Sequence, residues 1–185
     1  MNSPLLKEDT EYTWEDYMSW DDDVRYELID GVAYAMGAPS QRHQSILGDL
    51  YTLFNIFLKK NPCKVFISPC DVKLANKTVL QPDMFVVCDR SKLDGQFTQG
   101  APDLVIEIES SSSTQRDRIL KYNKYLDAKV KEYWIVNPES KVTEVFILVN
   151  GDYSRKAYDE KDKISVHVLD GCTIDMSEVF AEEIS

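Results

Sequence analysis

Two short apolar segments of this 185-residue chain carry acidic residues among valine, isoleucine and leucine. The first follows Gln81-Pro82-Asp83, and the second is the run DLVIEIE over residues 103–109. Runs of this length and composition predict buried β-strands. Because desolvating an unpaired carboxylate is very unfavourable, acids in such strands need a partner. The pattern therefore predicts neighbouring core strands whose carboxylates converge on a cation.

The spacing of the acids decides which of them can meet. Side chains alternate along a strand, so Asp103, Glu107 and Glu109 share one face, and Asp83 begins the preceding strand. Neighbouring strands lie about 5 Å apart, close enough for Asp83 and Glu107 to hold one ion. Oxygen ligands favour Mg²⁺, with Mn²⁺ as a substitute, and Mg²⁺ keeps several waters for chemistry. Each acid alone would more simply mark a strand end, but the set indicates a metal-dependent phosphodiesterase site.

Four further segments occur in a fixed order around these two. The full set is residues 25–31 (RYELIDG), 42–44 (RHQ), 81–89 (QPDMFVVCD), 100–109 (GAPDLVIEIE), 131–138 (KEYWIVNP) and 144–146 (EVF). This ordered set resembles the PD-(D/E)XK nuclease superfamily, and more specifically its restriction-endonuclease-like Uma-two branch. The resemblance implies an α/β fold with a mixed sheet, an αβββαβ core and additional β-hairpins.

The resemblance also implies a function. A member of this superfamily is expected to be a Mg²⁺-dependent endonuclease that hydrolyses phosphodiester bonds, with Asp83, Glu107 and the backbone carbonyl of Ile108 as metal ligands. The expected partners are nucleic acid, DNA rather than RNA, and a second copy of the chain in a homodimer.

The chain departs from the superfamily pattern at one catalytic position. The pattern places a lysine two residues after Glu107, where this chain has Glu109. Two interpretations are open: Glu109 orients the attacking water or binds a second ion, or Lys121 in the following helix supplies the cation. Asp117 lies one i+4 step before Lys121 and could hold its ammonium group. The simpler alternative is an exposed Lys–Asp pair of little energetic value.

Two earlier segments contribute weaker candidates. Glu27 lies in an apolar strand, where it either faces solvent or, as the resemblance implies, approaches the site. His43 and Gln44 begin a long helix. A histidine there is more simply a capping or packing residue, whereas Gln44 could contact a water of the ion.

The net charge of −11 opposes polyanion binding, which needs positive potential. However, ten acids and only two basic residues fall within residues 1–30, so most of the excess charge lies there. Basic residues instead surround the third predicted helix: Arg116, Arg118, Lys121, Lys124, Lys129 and Lys131. The acidity counts against duplex DNA as the substrate and leaves the metal site unaffected.

Periodicity and turn residues predict the order of elements within one domain over residues 1–185. Helices are expected at 13–19, 40–60 and 114–127, strands at 64–67, 72–74, 79–88, 103–109, 132–136 and 164–168, and hairpins at 25–36 and 142–158. Residues 89–102 are expected to form a loop. On the third helix, Ile119, Tyr122 and Leu126 are expected to face the core.

The cysteines and the N-terminus predict a compartment. The four cysteines stand singly, without a CxxC pair, and Cys88 lies in a core strand as a small buried hydrophobe. No basic-then-apolar leader or membrane-spanning run is visible. A cytoplasmic protein is expected.

Two other functions remain open. A binding or assembly protein that kept a nuclease fold but lost efficient catalysis is favoured by the acidic composition and by Glu109, and opposed by Asp83, Glu107 and Lys121. A structural dimerisation domain is suggested only by the apolar strand around residues 145–149, if that strand lies near a sheet edge.

Overall fold

The computed structural model describes residues 10–21, 23–110 and 115–181, without the side chains of residues 115–117. Its helices are α1 (Trp14–Ser19), α2 (Gln41–Leu58), a 3-10 turn (Arg90–Lys92), α3 (Gln115–Asp127) and α4 (Met176–Val179). Its strands are β1 (Tyr26–Ile29), β2 (Val32–Ala35), β3 (Lys64–Ile67), β4 (Val72–Ala75), β5 (Thr78–Leu80), β6 (Met84–Val87), β7 (Thr98–Gln99), β8 (Leu104–Ile108), β9 (Glu132–Asn137), β10 (Val142–Val149), β11 (Asp152–Tyr158), β12 (Lys163–Ser165) and β13 (Thr173–Asp175).

A mixed sheet with the strand order β11-β10-β9-β8-β6-β3 forms the centre of the fold. β8 and β9 are parallel and are connected through α3, and the other pairs in this sheet are antiparallel. A second sheet has the order β2-β1-β5-β4-β7, and β12 pairs with β13. The series α2, β3, β6, β8, α3, β9 reproduces the expected αβββαβ order. The predicted α/β fold with a mixed sheet is confirmed.

The two faces of the central sheet are buried against different partners. Ile106 and Trp134 lie on the face that packs with α2 and the C-terminal elements. Val105 and Tyr133 lie on the opposite face, with Tyr125 of α3 and core residues of the second sheet. Because side chains alternate, Glu107 shares the face of Val105. The carboxylate of β8 therefore lies on the face that meets the second sheet.

Helix α2 begins beside that carboxylate. The hydroxyl of Ser40 caps the helix by accepting a hydrogen bond from the backbone N–H of His43 at 3.2 Å. Ile46, Leu50 and Phe54 then recur at helical spacing on the buried side. The same periodicity carries His43, in the first turn, into the interior.

The predicted strand over residues 79–88 is wrong, because this segment forms two strands in different sheets. β5 belongs to the second sheet and β6 to the central one, and Gln81, Pro82 and Asp83 connect them. Proline cannot donate a ladder hydrogen bond, so strand pairing stops there. Asp83 consequently lies just before β6 at the crossing between the sheets. The predicted loop 89–102 contains the 3-10 turn and β7, and the predicted strand 164–168 is reduced to β12.

Two expectations about exposed apolar surface are also wrong. Ile119 is 53% exposed, whereas Tyr125 of the same helix is fully buried. The apolar strand around residues 145–149 belongs to β10, which lies between β9 and β11 rather than at an edge. The sheet-edge reason for a dimerisation domain therefore disappears.

The cysteines do not all stand singly. Cys63 and Cys88 form a disulfide, and Cys88 is half-buried rather than a buried thiol. They flank the antiparallel pair β3 and β6, where Lys64 faces Val87, so the register itself brings the two residues opposite each other. Cys70 and Cys172 are free thiols.

Candidate active site

A pocket of about 280 Å³ is lined by residues of β1, β2, β8, α2 and α3 and of the segment between β5 and β6. Its ionisable lining residues are the carboxylates Glu27, Asp83 and Glu107 and the basic residues Arg25, His43 and Lys121. Four of the catalytic candidates from the sequence thus converge in one pocket, and Ile108 lines it as well. Both acidic segments and the helix that follows them contribute.

Asp83 is fixed by the strand next to it. Met84 faces Ile106 across the β6–β8 ladder, and continuing that register by one pair places Asp83 opposite Glu107. The backbone N–H of Ile108 donates to Asp83 Oδ2 at 2.8 Å. His43 Nε2 lies 3.1 Å from the same oxygen. The carboxylate is held in a defined orientation at the pocket wall.

Glu107 is buried and sits close to two other carboxylates. Burial raises its pKa to about 7, and the negative charges of Asp83 and Glu27 act in the same direction, whereas Lys121 opposes them. The hydroxyl of Tyr125 donates to Glu107 Oε1 at 2.6 Å. The charged form of Glu107 is therefore disfavoured, first by burial and then by the two carboxylates beside it.

Lys121 bridges the two carboxylates on either side of the pocket. Its Nζ lies 2.9 Å from Glu27 Oε1 and 3.1 Å from Glu107 Oε1. Burial alone would lower the pKa of Lys121, but Glu107 and Glu27 outweigh burial and raise it above its ordinary value. Lys121 is therefore a permanent cation inside the pocket.

Glu27 is buried rather than solvent-facing. Besides Lys121, it accepts a hydrogen bond from the backbone N–H of Gln81 at 3.0 Å. Glu27 therefore ties β1 of the second sheet to the segment that carries Asp83.

His43 approaches the same carboxylates from α2. Burial lowers its pKa, but Asp83, Glu107 and a hydrogen bond with the Ile108 backbone outweigh burial, so the pKa is raised. Its Nδ1 atom is buried and has no hydrogen-bond partner among the described residues. Its Nε2 edge faces Asp83 and Ile108, two of the groups expected to bind a metal.

The structure places the remaining candidates elsewhere. Glu109 does not line the pocket, and it accepts hydrogen bonds from Arg118 at 3.1 Å and Asn137 at 2.6 Å. Gln44 is exposed, so α2 presents His43 to the pocket instead. The side chain of Asp117 lies outside the described residues.

The basic cluster around α3 is mostly neutralised. Arg118 pairs with Glu109 and Glu144, and Lys131 lies 2.7 Å from Asp103. Lys124 likewise lies 2.9 Å from an oxygen of Asp30. These pairs, together with those of Lys121, reduce the positive potential that the sequence suggested.

Sequence reasoning missed three lining or supporting residues. Tyr125 lies one i+4 step after Lys121, so its inward position could have been inferred from that of Lys121. His43 belongs to the Arg-His-Gln segment, in which the sequence instead predicted Gln44 as the residue that contacts the site. Arg25 opened the RYELIDG segment, and nothing in the local pattern indicated that it would reach the pocket.

The oxygen atoms that line the pocket suit a hard divalent ion that takes few ligands from the protein. No three His, Cys, Asp or Glu side chains form a ready cage in the described part of the chain. Mg²⁺, however, commonly binds through one or two carboxylates, with water and substrate completing its shell. Asp83 and Glu107, joined by the Ile108 carbonyl, supply oxygens of this kind, and a cation bound there would favour the charged form of Glu107.

Comparison with known proteins defines the class of this fold. A solved structure from Anabaena variabilis ATCC 29413, titled a "putative nuclease belonging to DUF820", matches with a TM-score of 0.77 over 91% of this chain and 97% of that chain. At 16% sequence identity, this likeness establishes the restriction-endonuclease-like fold alone.

The family follows from the sequence comparison. Residues 14–177 match the model of the Uma2 family, described as "Putative restriction endonuclease", and the chain belongs to this family. An uncharacterized Synechocystis protein, slr1290, is 30% identical over 158 residues, covering 82% of this chain and 83% of that protein. None of the helices in the described ranges is long and apolar enough to cross a membrane.

Proposed function

We propose that the protein is a Mg²⁺-dependent nuclease that hydrolyses phosphodiester bonds of nucleic acid, DNA in preference to RNA. The observation that carries the proposal is the position of Lys121, whose ammonium group contacts Glu107 and Glu27 in the pocket that Asp83 also lines. A cation in this position replaces the lysine that the superfamily pattern expects two residues after Glu107.

Asp83, Glu107 and the Ile108 carbonyl would hold the metal. When bound, Mg²⁺ supplies Lewis acidity to the scissile phosphate and lowers the pKa of a water molecule. The Ile108 N–H keeps Asp83 oriented, and the Tyr125 hydroxyl does the same for Glu107. Neither carboxylate has to reorganise before substrate enters.

Lys121 stabilises the charge that develops on the phosphate oxygens. Its two carboxylate partners fix the ammonium group in place, and the pocket walls keep it from bulk water, where its effect would be screened. His43 Nε2 contacts the Asp83 oxygen that also accepts the Ile108 N–H, so two groups hold this carboxylate in place. Glu109, engaged by Arg118 and Asn137, contributes to the framework of the site.

A catalytically degenerate binding or dimerisation module is the second candidate. It is favoured by the net charge of −11 and by the ion pairs that neutralise Arg118, Lys124 and Lys131. With these cations around α3 paired and the net charge strongly negative, affinity for long nucleic acid is expected to be low. Such a protein would retain the pocket without turnover.

Cleavage assays distinguish these candidates. Supercoiled plasmid and end-labelled single- and double-stranded DNA and RNA are incubated with wild type in Mg²⁺ or Mn²⁺. We expect cleavage by wild type and a loss of about 100-fold or more in Lys121→Met, as for removal of one transition-state donor. Lys124→Met is the matched control, because Lys124 lies on the same helix in a more exposed ion pair.

Two results would contradict the proposal. Fully active Lys121→Met would remove the lysine from the mechanism. Absence of cleavage over the whole panel would favour the degenerate module.

Two further proposals concern assembly and compartment. A homodimer is supported by the family resemblance. A cytoplasmic location remains a prediction from the sequence, and the Cys63–Cys88 disulfide counts against it because disulfides are rare in that compartment.

A further inference from the structure

Arg25 is a half-buried cation of the pocket that no carboxylate neutralises among the described residues. Its Nε and Nη2 atoms donate to Gln81 Oε1 at 3.1 and 2.9 Å, and Nη2 also lies 3.8 Å from the sulfur of Met36. The Nη1 group makes no hydrogen bond with the described residues. Arginine presents donors in a planar fork, so this edge remains available to a ligand.

Gln81 holds the guanidinium without cancelling its charge. Gln81 is buried, and its amide nitrogen donates to Asp71 Oδ1 at 2.9 Å and to the Tyr17 hydroxyl at 3.1 Å. These two acceptors fix which end of the amide is the oxygen, and that oxygen faces Arg25. Since the acceptor is a neutral amide, Arg25 is oriented but keeps its full positive charge.

The other strong cation of the pocket is already engaged. Lys121 contacts both Glu27 and Glu107, whereas Arg25 has only the amide and the thioether. An anion that enters the pocket can therefore bind to the unoccupied donor edge of Arg25. Arginine is also suited to phosphate, because its donors match the spacing of phosphate oxygens.

We infer that Arg25, positioned by Gln81, binds a non-bridging phosphate oxygen of the nucleic-acid strand in the pocket. This inference rests on the proposed nuclease function and names the residue that holds the substrate. Gln81 and Asp83 are two residues apart in an extended segment, a span of about 7 Å. One short stretch of backbone thus sets the distance between the phosphate contact and the carboxylates.

Binding measured without cleavage tests this role. Fluorescein-labelled 20-nucleotide single-stranded and duplex DNA is titrated with protein in Ca²⁺, and anisotropy is followed at several salt concentrations. A charge-assisted hydrogen bond contributes about 1.5–3 kcal/mol, so Arg25→Met should weaken binding about 10- to 100-fold. It should also reduce the slope of log K against log salt by about one, since one phosphate contact is lost.

Two variants separate charge from structure. Met36→Glu places a carboxylate where the Met36 sulfur lies 3.8 Å from Nη2 of Arg25 and leaves the hydrogen bonds of Gln81 in place, so it should neutralise Arg25 and weaken binding as Arg25→Met does. Arg90→Met removes the same charge from an exposed arginine whose described hydrogen bond is with the Pro62 carbonyl, and it should bind as wild type does. Thermal unfolding of each variant verifies that it is folded.

The possible results are decisive. Unchanged affinity or an unchanged salt slope in Arg25→Met would overturn the inference, as would an equal loss in Arg90→Met. A wild type that binds neither DNA would overturn it too. If wild type binds, Arg25→Met and Met36→Glu lose affinity as expected, and Mn²⁺ still produces no cleavage, the phosphate site stands and the proposed hydrolysis fails.

Discussion

Replacing Lys121 with methionine should destabilise the protein in a pH-dependent manner. Methionine fills a similar volume but removes the ammonium group that separates Glu27 from Glu107. Both carboxylates then remain buried without their shared cation. Breaking a buried ion pair in this way costs about 3–5 kcal/mol of unfolding free energy. We expect a value in this range at pH 8.

The cost should be smaller at pH 6, because Glu107 can protonate. A carboxyl whose pKa is higher in the folded than in the unfolded protein loses stability as pH rises between the two values. In wild type, Glu107 stops contributing to this loss near its pKa of about 7. Without Lys121 its pKa rises further, so the loss continues towards pH 8. The difference between variant and wild type should grow by about 1.4 kcal/mol from pH 6 to pH 8.

Urea unfolding of both proteins at pH 6 and pH 8, without divalent metal, measures this difference. Lys124→Met is the control, because the ion pair of Lys124 with Asp30 is partly exposed and should cost no more than about 1 kcal/mol at either pH. A Lys121→Met penalty below 1 kcal/mol, or one that does not change with pH, would refute the electrostatic account of the pocket.

Three further predictions concern the whole molecule. Wild-type stability should fall by about 2 kcal/mol from pH 5 to pH 7 through Glu107, and calorimetry of Glu107→Gln should show a flatter profile. Gly31→Ala should lower the unfolding free energy by more than about 1 kcal/mol in chemical denaturation, because Gly31 has φ +80° and an added Cβ would lie 3.0 Å from the Cβ of Glu11. Light scattering at micromolar concentration should give twice the chain mass of 21.3 kDa, and the monomer mass would contradict the proposed homodimer.

The proximity of Asp83 to the acidic strand could be predicted from the sequence because it depends on the geometry of neighbouring strands. Alternation within a strand fixes the face of Glu107, and an antiparallel partner brings a residue at the start of one strand opposite the end of the next. The fold class followed from the order of elements and from the family resemblance. The division of residues 79–88 between two sheets did not, since an apolar run has the same appearance in one long strand or two short ones, and only Pro82 marked the break.

The orientation of α3 and the role of Arg25 depend on distant contacts. An apolar pattern favours burying Ile119, but Lys121 and Tyr125 turn inward because Glu27 and Glu107 lie there, and Ile119 is about 200° away around the helix from Lys121. The hydrogen bonds that hold Gln81 join residues 10 and 64 positions apart. Hydrogen bonds between residues this far apart leave no local pattern in the sequence, so this network could not be predicted.

The metal site is tested most directly by anomalous scattering from crystals soaked in Mn²⁺. We expect one strong peak between the carboxylates of Asp83 and Glu107 and near the carbonyl oxygen of Ile108, and no peak there in crystals of Asp83→Ala. Absence of a peak at this position in wild type, or an equal peak in Asp83→Ala, would contradict the central claim that these groups form a divalent metal site.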